Sequence, residues 1–153
     1  ADLGFGITIV GGETVRESDG IALSSRNVRL GPQARRQALC IVESLDQAER
    51  MLAGGERDAA AVLEAVHKTL ARASQARIDY AELRDPDTLA AVPGRIDGPV
   101  LLAIALQFDA DPDGRGAAVR LIDNRILGRR RAAGPTASCP PERNPEPREE
   151  FPR

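Results

Sequence analysis

An α+β fold is predicted by three features of the sequence. Two consecutive stretches carry apolar residues at helical spacing, the period then changes to short strand-like runs after residue 76, and turn-rich breaks separate those runs. Helices followed by three strands joined through short connections suggest a small layered unit with an antiparallel sheet.

The elements follow in order. Residues 4–10 read as a strand, with β-branched Ile7, Ile9 and Val10 closed by Gly11-Gly12. The polar loop 16–27 holds the turn signal Asp19-Gly20. In "GPQARRQALCIVESLDQAERMLAGG", Ala38, Ile41, Val42, Leu45, Ala48 and Leu52 share one helical face, with Pro32 in the first turn and Gly54-Gly55 as the stop. A second helix starts near Asp58, a candidate cap, and carries Val62, Val66, Leu70 and Ala73. "ARIDYAELRDP" alternates, placing Ile78 and Tyr80 on one face and Ala81 and Leu83 near the other, and stops at Asp85-Pro86. "PVLLAIALQF" has strand length, although its periodicity also fits a buried helix. "AAVRLIDNRIL" follows the turn-rich "DADPDGRG". Residues 129–153, with six prolines and ten charges, read as a disordered tail.

Composition narrows the function classes. A chain of 153 residues with 42% apolar content can bury a core, which must rest on Ala, Val, Leu and Ile because aromatics are only 3%. The net charge of −2 gives no electrostatic reason to bind nucleic acid or an anionic membrane, and no apolar run reaches the length of a bilayer span. A soluble, cytoplasmic protein is expected. Cys40 and Cys139 form no framework and read as inert thiols. His67 is the single histidine, so no His/Cys metal cluster is expected, and without an orienting partner it reads as a surface residue.

The stretch "VRESDGIALSSRNVRL" carries the chemistry. Ser24 and Ser25 can donate hydroxyl hydrogen bonds to phosphate oxygens, and Arg26 offers a planar charged fork that matches two oxygens at once. Backbone N–H groups of the loop and the helix start a few residues on would complete a cradle. The same four letters also suit an ordinary solvated turn, with Asn27 satisfying backbone groups.

"TVRESDGIALSSRNVRL", then a helix, then "IDYAELRDP" and "VRLIDN", together resemble the C-terminal part of the pantoate–β-alanine ligase family, in consistent order over residues 1–127. The resemblance implies residues 1–27 as the end of a Rossmann-type nucleotidyltransferase domain with a KMSKS-like loop, and residues 28–128 as a helix-helix plus antiparallel-sheet C-terminal domain. It implies ATP and Mg²⁺ as cofactors, adenylation of pantoate with loss of pyrophosphate, and attack by β-alanine to give pantothenate and AMP. Carried over, Ser24, Ser25 and Arg26 contact phosphates, with Arg26 catalytic. Val15 contacts the nucleotide largely through its main chain, and Leu23 serves as a backbone contact or packing anchor. A homodimer would form through the family's N-terminal half.

That half, with its His-x-Gly-His segment and pantoate-holding residues, has no counterpart here. The chain is therefore expected to be a portion of a longer ligase and inactive alone, because orientation of both substrates supplies much of the rate. Gly12-Glu13 replaces the usual Val-Pro before "TVRE", and the turn before "VRLIDN" is longer than usual, an extended hairpin loop. A free-standing, non-catalytic nucleotide- or protein-binding module is the alternative, and an unrelated α+β phosphate-binding domain a third reading.

Overall fold

The computed structural model describes residues 12–128. The expected strand 4–10 and the tail 129–153 with Cys139 lie outside the described residues. After an irregular hairpin come a short 3-10 turn at Asn27–Arg29, two helices and three strands: α1 (Pro32–Ala53), α2 (Ala59–Leu70), β1 (Ala76–Arg84), β2 (Val100–Phe108) and β3 (Val119–Leu127).

Local signals set the helix ends. Pro32 occupies the first turn of α1, where its missing N–H costs nothing. Gly55 follows the helix at φ 97°, a conformation glycine adopts without penalty. Arg57 then donates to the carbonyl of Leu52 at 2.7 Å, satisfying an acceptor that the helix leaves open. Asp58 caps α2 by accepting from the Ala60 amide at 2.9 Å. The predicted apolar stripes are buried, with Val42 only partly so. Ala73 is buried as expected but lies beyond α2, which ends at Leu70; Ala73 sits in the following turn, its amide donating to the Leu70 carbonyl.

The strands form one antiparallel meander in the order β1-β2-β3. "PVLLAIALQF" is therefore a strand, and its apolar run reflects a central position with neighbours on both edges. On one face Leu102, Ile104 and Leu106 are fully buried, along with Val62, Val66 and Leu70 of α2 and Leu45 of α1. α2 packs against β1, while α1 packs against β3 and β2. Each of these buried aliphatic side chains contributes about 2 kcal/mol through removal from water.

One strand departs from simple alternation. Ile78 pairs with Leu106 but Tyr80 pairs with Ala105, so the register slips by one residue between them. Asp79 is thereby extra, a β-bulge. Ile78 and Tyr80 consequently lie on opposite faces rather than sharing one, and Ile78 joins Ala81 and Leu83 on the core side. The bulge is stabilised on the outside: Asp79 accepts from Arg120 at 2.8 Å, and that guanidinium stands 5.6 Å above the Tyr80 ring.

Candidate functional site

The site residues come from the hairpin ahead of α1. Gly20 turns the chain at φ 90°, and Arg16 and Ala22 bridge antiparallel behind it. The Leu23 amide donates to the Val15 carbonyl at 2.9 Å. This continues the ladder one step, placing Val15 directly opposite Leu23. Both are exposed, at 67% and 63%, which is unusual for a facing pair of branched apolar side chains. The two positions tied to a nucleotide only by resemblance are therefore one structural unit.

Ser24, Ser25 and Arg26 follow at once. The Ser24 Oγ accepts from the Arg26 amide at 3.2 Å, and the Ser24 carbonyl accepts from the Asn27 amide at 3.0 Å, which curls the chain into the 3-10 turn. The guanidinium of Arg26 and the hydroxyl of Ser25 are exposed and make no hydrogen bond or ion pair among the described residues. Such unengaged donors on one loop are what an incoming anion requires.

Asn27, expected to satisfy backbone groups, holds this loop together with charged residues that sequence reasoning did not single out. Asn27 is buried, and its Nδ2 donates to Glu17 Oε1 at 2.5 Å and to the Ala22 carbonyl at 3.0 Å. Glu17 Oε2 accepts from Arg35 of α1 at 2.8 Å. The hydrogen bond from Arg35, then that from Asn27, holds the Glu17 carboxyl below its ordinary range. Arg16 donates to both oxygens of Asp123 on β3, at 2.6 and 3.1 Å, and to the Gly20 carbonyl at 2.9 Å. The only signal of these roles in the sequence is an excess of charge in a short loop.

The helix start does not complete a phosphate cradle, contrary to expectation. The amides of Gln33 and Ala34 donate to the two carboxylate oxygens of Asp111, at 2.8 and 2.9 Å. That side chain comes from the long β2–β3 connection, so the extended hairpin loop serves as a cap supplied from far along the chain. Burial pushes the Asp111 carboxyl up, but the amide hydrogen bonds from Gln33 and Ala34 and one from Gln75 prevail and hold it low. Close packing enforces the arrangement: a Cβ on Gly31 would lie 2.4 Å from the Asp111 carboxyl carbon.

Between the loop, α1 and β3 lies a groove of about 230 Å³, whose lining includes Leu23, Ser24, Arg26 and Asn27 with Ile41, Val42 and Ile122. Its lining mixes these apolar side chains with the polar groups of Ser24, Arg26, Asn27, Arg120 and Asp123. His67 is exposed on α2, away from this groove's lining. Among the described residues no group of three His, Cys, Asp or Glu could hold a metal ion, and no helix is long and apolar enough to cross a membrane.

Comparison with known proteins gives one answer. A family profile described as pantoate-beta-alanine ligase matches residues 1–126. The pantothenate synthetase of Solidesulfovibrio magneticus is 50% identical over 127 residues, covering 82% of this chain and 41% of the relative. That of Desulfatibacillum aliphaticivorans is 46% identical over 126 residues, covering 82% and 42%. Among solved structures, pantothenate synthetase from Thermus thermophilus superposes with a TM-score of 0.69 at 35% identity, covering 81% of this chain and 41% of that one. The chain spans about two-fifths of the length of the relatives it matches. A profile that takes in the hairpin, both helices and all but the end of the last strand, with relatives at this level of identity, places the chain in the pantoate–β-alanine ligase family.

Proposed function

We propose that this chain supplies the phosphate-gripping loop and the C-terminal α+β domain of an ATP-dependent ligase. That ligase joins pantoate to β-alanine through a pantoyl-adenylate, releasing pyrophosphate and AMP. In this reading residues 1–27 close a Rossmann-type nucleotide-binding domain, residues 28–128 form the second domain, and residues 129–153 are a disordered extension. Ser24, Ser25 and Arg26 hold the ATP phosphates, Val15 meets the nucleotide through its main chain, and Leu23 packs beside it.

The observation that carries the reading is the state of the loop. Arg26 and Ser25 project exposed donors without partners among the described residues, directly after a hairpin anchored to both α1 and the sheet. A guanidinium placed there stabilises the charge that develops as pyrophosphate departs. Mg²⁺ would accompany the ATP phosphates in this reading. When bound it neutralises phosphate charge. The chain's own part is to orient and to donate hydrogen bonds.

Pantoate activation needs groups that the described residues do not offer, so the chain alone is expected to bind without turning over. Calorimetry with ATP and Mg²⁺ tests the loop: heat lost on Arg26→Ala supports it, and no heat at millimolar ATP removes it. The second reading, a non-catalytic nucleotide- or protein-binding module, is favoured if completion with the family's N-terminal half yields ATP binding but no acyl-adenylate.

A further inference from the structure

We propose that Asn27 and Glu17 are the positioning residues of the Ser24–Arg26 loop, with Asn27 acting as a staple across its base and Glu17 referring that staple to α1. For what the loop grips, this rests on the phosphate reading above.

The geometry divides the labour. The side-chain amide of Asn27 has two N–H groups, and both are spent: one on Glu17 Oε1, the other on the Ala22 carbonyl at 3.0 Å. The second bond spans residues 22 to 27 and so encloses all the residues proposed to grip phosphate. Glu17 uses its other oxygen to accept from Arg35, which fixes the loop relative to the first turn of α1. Asn27 is 7% exposed, whereas Ser25 and Arg26 beside it are exposed. The gripping groups are thus kept free, while the neighbour that sets their direction is buried and committed. A loop held this way loses little further freedom when it closes on an anion, and that is the source of affinity in a preorganised site.

The pair can be tested by exchanging donor and acceptor. Asn27→Asp has no N–H to give and sets a carboxylate against both Glu17 and the Ala22 carbonyl. Adding Glu17→Gln returns an N–H donor to the 17–27 pair in the opposite sense but leaves the Ala22 carbonyl without its donor. Amide hydrogen exchange on this chain, read by mass spectrometry, should show Asn27→Asp accelerating exchange over residues 22–29 by about tenfold or more while β2 stays protected. The double variant should recover the part of that protection owed to the Glu17 bond, and the remainder marks the lost bond to Ala22. ATP affinity, measured in parallel with Mg²⁺, should fall by roughly tenfold and recover likewise. Unchanged loop exchange, no recovery in the double variant, or equal loss of protection in β2 would each overturn the proposal. If the unsubstituted chain binds no ATP while exchange follows expectation, the phosphate reading falls and the staple stands. If ATP binds and ignores both substitutions, the staple's role in binding falls and the phosphate reading stands.

Discussion

Arg16 and Asp123 form a two-pronged ion pair between residues 107 positions apart, joining the hairpin to the last strand. The Asp123 side chain is 3% exposed and that of Arg16 24%, so the pair is largely shielded from water.

Removing one member leaves the other stranded. Arg16→Ala should destabilise the chain by about 3 kcal/mol, because a buried carboxylate then lacks its counter-charge. Asp123→Asn should cost less, since an amide oxygen still accepts one of the two bonds. Urea unfolding of the three proteins gives the comparison, and equal stability in all three contradicts it.

Glycine substitutions should separate close packing from mere flexibility. Gly31→Ala places a Cβ 2.4 Å from the Asp111 carboxyl carbon and 2.7 Å from the Arg115 carbonyl, a contact that must displace backbone. A loss of roughly 2 kcal/mol is expected. Gly98→Ala meets nothing within 4 Å and needs no positive φ, so it should be neutral or stabilise by up to about 1 kcal/mol. Thermal melts of both variants decide the matter.

Acid should loosen the start of α1. The Asp111 carboxyl is held below its ordinary value of 3.8, so its contribution is fully present above that value and is lost as pH falls through the lower folded-state value. Asp111→Asn removes the ionisable group. The gap in melting temperature between the native chain and this variant should be widest near neutrality and close progressively below about pH 4. A gap independent of pH would assign the cap to shape rather than charge.

Cys40 should behave as an inert thiol. Burial, then the nearby Glu43 carboxylate, pushes it up to about 12 despite Arg72. Alkylation by iodoacetamide at pH 8 should therefore track unfolding, with negligible labelling of Cys40 in the native chain. Rapid native labelling would show that α1 opens locally.

In the proposed ligase, with the chain completed by the family's N-terminal half, Arg26→Ala should lower kcat more than it raises the KM for ATP. Its guanidinium makes no hydrogen bond or ion pair among the described residues, so folding stability should change by no more than about 0.5 kcal/mol. A pure KM effect would make Arg26 a ground-state binding residue.

Both helices were legible in the sequence because their signals are local: Pro32, Gly55 and Asp58 act within a turn of the ends they define. The extra residue at Asp79 was not, since a bulge exists only relative to a partner strand. Nor was the contact from Asp111 to α1, made between residues 77 and 78 positions apart. At the candidate site, Ser24, Ser25 and Arg26 announced themselves by residue type. Of their supports, Asn27 was expected to satisfy backbone groups, as its bond to the Ala22 carbonyl does, but Glu17 and Arg35 read as solvated polar residues until the fold brings them together.

The plug that Asp111 places in α1 has an electrical consequence. With the helix's positive end already neutralised internally, any anion held at Arg26 is held by a side-chain charge standing in solvent. Such an attraction is subject to ionic screening over about 8 Å at physiological strength. Any such grip by this chain is accordingly one that added salt should erode steeply, and that exclusion of water around Arg26 should strengthen.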